Sequence, residues 1–313
     1  MRRGRSAGSC LVAMCTALAV AATGCGSSDS HADRPKHTEL GGPDRVAELS
    51  DAQLAEVSHA QELLTKHCMA DRGFRYGVAK QPTADELRTP GYVLDDPRWA
   101  REYGYGGQLE REQDRARKAD PNVAHYRTLS RDGQLRWSNA LFGGPESGTV
   151  EARTPGGGTV SMATGGCNAE ALRALYGDLR TWFTADKTVS GLGALYEPRI
   201  KRNKRFATAV DSWSVCMNRQ GHRYADPASL RERVPTLTHG VSHRRAHAVE
   251  VRLATAEATC ARSSGLGNIA RGLERTYRAE YAAGRFREPF ETRVRLQHKA
   301  LAKAERVLAD VSG

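Results

Sequence analysis

The chain writes one phrase twice: "CMADRGFRY" at 68–76 and "CMNRQGHRY" at 216–224, identical at Cys, Met, Gly, Arg and Tyr. Each copy closes a stretch with helical periodicity. Ahead of the first copy, Leu54, Val57, Leu64 and Cys68 recur on one helical face, and Ser50 with Gln53 makes a capping-box pair at the start. Ahead of the second, Phe206, Val210, Trp213 and Met217 do the same. Gly73 and Gly221 then stand where a left-handed residue ends a helix, and Phe74, Tyr76 and Tyr224 can fold back over the last turn. The phrase therefore reads as a helix terminus with a cysteine in its final turns. Its recurrence points to two related helical units and a mainly α fold.

The N-terminus says where such cysteines would be oxidised. Arg2, Arg3 and Arg5 form a basic start, and "CLVAMCTALAVAA" follows as an apolar run from Cys10 to Ala22. That run is too short to span a bilayer, which takes about 20 residues, but it suits a signal h-region. It ends in Ala22-Thr23-Gly24-Cys25 and passes into "GSSDSHADRPKHTELGGP", which is polar and rich in breakers. Small residues leading into Cys and then a Gly/Ser/Pro stretch resemble the lipobox of bacterial lipoproteins. That resemblance implies a lipoprotein signal peptide at 1–24, cleavage, diacylglycerol and palmitate on Cys25, and a flexible tether over 25–43 that displays the rest on the outer face of the cell membrane.

Of seven cysteines, Cys10 and Cys15 would leave with the signal and Cys25 would carry lipid. Cys68, Cys167, Cys216 and Cys260 remain, an even number in an exported chain, and four cysteines allow three pairings. The repeat favours Cys68–Cys167 and Cys216–Cys260, a phrase cysteine joined to a later helix in each half; cross-pairing between halves is the rival. Closing loops of these lengths contributes on the order of 4 kcal/mol each in the chain-entropy account. Four separate Cys without C-x-x-C spacing argue against zinc.

Further motifs accompany the phrase: "REYGYGG" at 101–107, "WSNALFGG" at 137–144 and "GGCNAEALRALYGD" at 165–178. Together with Cys-Met-x3-Gly-x-x-Tyr, they resemble secreted proteins and lipoproteins of actinobacteria. Heavy use of Arg, Ala and Gly is in keeping with that source. The resemblance covers most of 60–265 and implies a fold and a compartment, with no activity to carry over to particular residues.

The organisation follows from these markers. The first helical unit, 44–185, holds a long Pro/Gly-punctuated insertion over 77–147 and a β-hairpin near 149–163, where Val150/Ala152 and Val160/Met162 alternate around Pro155-Gly156-Gly157. A helix is expected over 168–184, with Leu172, Leu175, Leu179 and Trp182 or Phe183 on its apolar face. The second unit, 186–313, ends in long helices divided near Gly284 and Pro289.

The chemistry-bearing residues are few. His239, His243 and His247 stand at four-residue steps with Glu250 nearby, a weak candidate for a divalent metal that Arg244 and Arg245 would oppose. The pairs Asp85-Glu86 and Asp95-Asp96 could serve general acid–base hydrolysis of wall material, or simply form turns before Pro97. Trp99, Tyr103, Tyr105 and Trp137 are the candidate ligand contacts, since exposed rings stack on sugars or peptides. No nucleophile elbow, zincin motif or phosphate loop is present, and no cofactor is expected. The whole chain carries +11, and loss of the three signal arginines leaves 44 basic against 36 acidic side chains. Outside a cell, such charge meets anionic lipid, anionic wall polymer or another envelope protein rather than nucleic acid. The expectation is a non-enzymatic binding or structural module of the envelope. A wall hydrolase using acids in 77–147, or an accessory subunit of an export or sensing complex, is the alternative.

Overall fold

Helix α1 (Asp51–Asp71) opens on the capping box: the Ser50 hydroxyl accepts from Gln53 N at 3.3 Å, and Gln53 Oε1 accepts from Ser50 N at 2.9 Å. The structure, a computed structural model, describes residues 47–78, 83, 88 and 91–312. The signal segment, Cys25, the tether and the Asp85-Glu86 pair lie outside the described residues.

The insertion is helical through much of its length. Helices α2 (Pro97–Tyr103), α3 (Gly107–Lys118), α4 (Pro121–Thr128) and α5 (Arg131–Phe142) follow one another across short turns. Asp96, Asp120 and Ser130 cap three of them, and Pro at the first position of α2 and α4 presets the helical φ where no N–H is needed. The hairpin pairs β1 (Thr149–Arg153) with β2 (Thr159–Ala163) in antiparallel register, Val150 opposite Met162 and Ala152 opposite Val160. Its buried Val150 and Ala152 pack on Phe183.

The helix expected over 168–184 is two helices, α6 (Gly166–Tyr176) and α7 (Leu179–Ser190). Gly177 takes φ 89° and ends α6, and the Asp178 carboxylate at once caps α7 by accepting from Thr181 N at 2.8 Å. The break lets Tyr176 and Trp182 stack face to face, 3.7 Å between ring centroids. Next come α8 (Gly193–Lys201), α9 (Lys204–Arg219), α10 (Pro227–Thr238), α11 (His243–Ser263), α12 (Leu266–Ala283) and α13 (Arg287–Ser312). Among the described residues the fold is therefore mainly α with one small hairpin, and no helix is long and apolar enough to cross a membrane.

Two apolar cores organise these helices. One gathers Trp213 and Met217 of α9, Leu253 and Cys260 of α11 and Leu266 of α12. The other gathers Val57 of α1, Leu175 of α6, Trp182 of α7 and Leu301 of α13. Helix α13 belongs to both: Phe290 and Val294 enter the first, and Leu296, Ala300 and Ala304 enter the second. Helix α2 likewise leaves the first half of the sequence to pack on α11. The packing thus crosses the sequence boundary at 185/186, and the described residues belong to one compact unit.

Candidate functional site

The repeated phrases make the same object twice. In the first, Gly73 N donates to Ala70 O at 2.8 Å and Phe74 N to Met69 O at 2.8 Å. In the second, Gly221 N donates to Asn218 O at 3.0 Å and His222 N to Met217 O at 2.9 Å. These bonds are the paired 5→2 and 6→1 bonds of a Schellman terminus, which needs a positive φ at its C′ residue; Gly73 has 75° and Gly221 has 82°. Met69 and Met217 are both fully buried beneath their termini. The disulfides run Cys68–Cys167 and Cys216–Cys260, each with Cα atoms 5.6 Å apart. In each bridge the phrase cysteine is half-buried and its partner is fully buried.

Equivalent positions also surround the sulfurs. The residue four after the phrase cysteine meets the bridge or the residue three after the partner. In the first bridge Arg72 pairs with Glu170, whose carboxylate oxygen approaches Cys68 Sγ to 3.1 Å. In the second, Gln220 Nε2 donates to Cys260 Sγ at 3.0 Å, and Ser263 Oγ lies 3.7 Å from Cys216 Sγ. Cys68, Cys167 and Glu170 lie close enough to hold a metal ion, but both sulfurs are spent in the bridge.

The four candidate aromatic contacts do not form a surface. Trp137 belongs with the first bridge: it is buried against Met69 and Cys167 and donates its indole N–H to Arg75 O at 3.2 Å. Trp99 is 3% exposed and packs with Tyr103 and Tyr105 against Ala254 and Ala258 of α11. Rings so deeply placed cover the core and are not free to stack on a sugar or peptide, which corrects the expectation for both tryptophans.

That packing shows what "REYGYGG" is for. A Cβ on Gly104 would meet Glu250 Cβ at 2.7 Å, and one on Gly107 would meet the Glu250 carboxylate at 2.5 Å. Glu250 uses the space to accept from Gly107 N at 3.1 Å, an acid at the positive end of α3. One turn past Leu253, Glu257 is fully buried, and its oxygens accept from Tyr105 Oη at 2.8 Å, from Leu94 N at 3.3 Å and from the Arg231 guanidinium. Arg231 also donates to Gly91 O. Burial and the neighbouring Glu257 push the Tyr105 hydroxyl well above the usual tyrosine range, so it stays a donor. Sequence reading missed this hub, although an acid at 257 amid the apolar stripe Leu253, Ala256 and Cys260 was the signal for it.

The ionisable candidates are dispersed. His239 lies at the end of α10 and His243 begins α11, with Ser242 as the cap between them. The three histidines therefore do not share a helical face, and Glu250 is committed to α3. Asp95 pairs with Arg271. Asp96 caps α2 and pairs with Arg88 at 2.8 Å. Burial pushes Asp96 up, but Arg88 and the N–H groups of Trp99 and Arg98 outweigh it and hold the carboxyl below its usual range. Neighbours in sequence, these two acids serve different partners.

Two open clefts of about 400 and 430 Å³ are lined by arginines. One lies beside the hairpin, among Val150, Arg173, Gly177 and Arg180; the other lies between Arg205 of α9 and Asn268, Leu273 and Arg275 of α12. Compared with known protein families, curated proteins and solved structures, the chain matches none.

Proposed function

We propose that the chain is an envelope lipoprotein, anchored through lipid on Cys25, whose helical body acts as a non-enzymatic binding or structural module outside the membrane. The observation that carries this reading is the conjunction of a lipobox-like "ATGC" with two disulfides that consume Cys68, Cys167, Cys216 and Cys260. Bridges of this kind persist in oxidising compartments, and a two-chain lipid anchor would hold a body with no membrane-crossing helix of its own among its described residues. The committed roles of Asp95, Asp96, Glu250 and Glu257 favour a rigid module over a hydrolase, because each acid is bound to a structural partner.

Labelling with a palmitate analogue and cell fractionation test the anchor. The wild-type chain is expected to take the label and stay with membranes, and Cys25→Ala is expected to lose the label and appear in the medium. Persistent membrane retention of the unlabelled variant would show that something other than Cys25 holds it.

A further inference from the structure

The last helix carries a stripe of cations. Arg295, Lys299, Lys303 and Arg306 recur on α13 at steps of four, four and three, which places them on one face. Two more cations join it from neighbouring elements. The cleft beside the hairpin is lined by Arg173 of α6 and Arg180 of α7, and it reaches Gly177, where a Cβ would come within 3.7 Å of Lys299 Nζ. Lys303 Nζ donates to Ala174 O at the end of α6, and Arg173 donates to Thr164 O at 2.6 Å. Arg180, Lys299 and Arg306 are exposed and make no ion pair among the described residues, although Arg180 lies close enough to Asp178 to help lower its carboxyl. The acid in the cleft, Asp178, spends its carboxylate on capping α7, and Asp310 stands one turn past the stripe. Burial, and then the nearby Lys299 and Arg306, hold the Lys303 ammonium below its usual range.

The same helix receives the start of the described chain. Ala47 O accepts from His298 Nε2 at 2.8 Å, and Glu48 is held by Arg278 at 2.7 Å and by Arg293. The segment between Cys25 and Ala47 can reach at most about 80 Å when fully extended. An anchor at Cys25 would therefore keep the body within about 80 Å of the membrane.

We infer that the face formed by α13 and the adjoining cleft docks on the anionic phospholipid headgroups of the membrane that holds the anchor. The inference rests on the lipoprotein reading for its location, while the charge arrangement stands without it. Each lysine or arginine close to an anionic bilayer strengthens binding by roughly fivefold, and the attraction fades with salt. A surface of five or six such groups holds a tethered body flat against the membrane instead of letting it range.

Vesicle sedimentation with the full chain bearing Cys25→Ala separates this surface from the lipid anchor, since no acyl chain is present. The chain is expected to sediment with phosphatidylcholine vesicles doped with phosphatidylglycerol, to release when salt is raised, and not to bind phosphatidylcholine alone. Adding Arg180→Glu, Lys299→Glu and Arg306→Glu should weaken binding by roughly 100-fold or more, at unchanged helix content by circular dichroism. The same charge change at Arg115, Lys118 and Arg233, which do not border the cleft, should leave it within about twofold. If the triple variant loses helix, Lys299→Glu alone should still weaken binding by roughly fivefold. Absence of vesicle binding, an equal loss in the control, or binding to soluble polyphosphate but not to vesicles would overturn the inference. Loss of lipid labelling at Cys25 in cells with vesicle binding intact would count against the anchor alone.

Discussion

The two staples share a backbone and differ in their surroundings. Both have Schellman bonds, a buried Met one residue after the phrase cysteine and Cα atoms 5.6 Å apart across the bridge. Around the first lie an ion pair and a ring, with Phe74 packed beside Trp137; around the second lie an amide and a hydroxyl, with His222 in the place of Phe74. The first closes 99 residues and ties α1 to α6 with α5 packed against them; the second closes 44 and ties α9 to α11 inside the larger core. The phrase thus specifies how a helix ends and where its sulfur points. It leaves the neighbouring chemistry free, as a structural device does and a catalytic motif does not.

Removal of either bridge should destabilise the body most. By loop length alone, Cys68→Ala/Cys167→Ala should cost about 4.7 kcal/mol and Cys216→Ala/Cys260→Ala about 4.0 kcal/mol, read by urea unfolding. A markedly greater loss at the second bridge would mean that packing around buried Cys260 outweighs chain entropy.

Alkali should act next. Burial, with Asp186 nearby, raises Tyr176 to about 12 in the core of the first staple's helices. A phenol whose folded value is raised gives stability that is complete below its unfolded value near 10 and is lost as pH climbs towards 12. Its share of the loss should be about 2 kcal/mol over that window. Tyr176→Phe should make that part of the pH profile shallower by that amount, while the raised phenols of Tyr76, Tyr92, Tyr105 and Tyr196 keep the rest of the slope.

A smaller and sharper effect is expected at the turns. A Cβ at Gly73 or Gly221 would meet nothing within 4 Å, so Gly→Ala at either site costs only the left-handed backbone, about 1 kcal/mol. Equal costs would support one device used twice, and a difference above about 1 kcal/mol would break the equivalence. Smallest is Arg72→Ala. Its pair with Glu170 is 37% and 45% exposed, so unfolding should shift by less than about 1 kcal/mol.

Much of the fold was legible because its signals are local. The Ser50–Gln53 box, Gly73, Gly221 and the alternation around Pro155-Gly156-Gly157 each act within a few residues, and each stands where its chemistry requires. The division of 168–184 was written in Gly177-Asp178, a stop followed at once by a cap, but the continuous apolar spacing from Leu172 to Phe183 concealed it. Site reading failed where burial depends on distant chain. Nothing near Trp99 in sequence announces α11 as its cover, and nothing near Arg231 announces Glu257. The cation stripe on α13 could be counted from the sequence, but its meeting with Arg173 and Arg180 could not, because that takes the return of the last helix to α6 and α7.

Non-reducing peptide mapping of the protein from its native cells reads bridge geometry and compartment together. Two linked species are expected, Cys68 with Cys167 and Cys216 with Cys260, and no free thiol among the four. A peptide joining Cys68 to Cys216, or four reduced cysteines, would contradict that pairing.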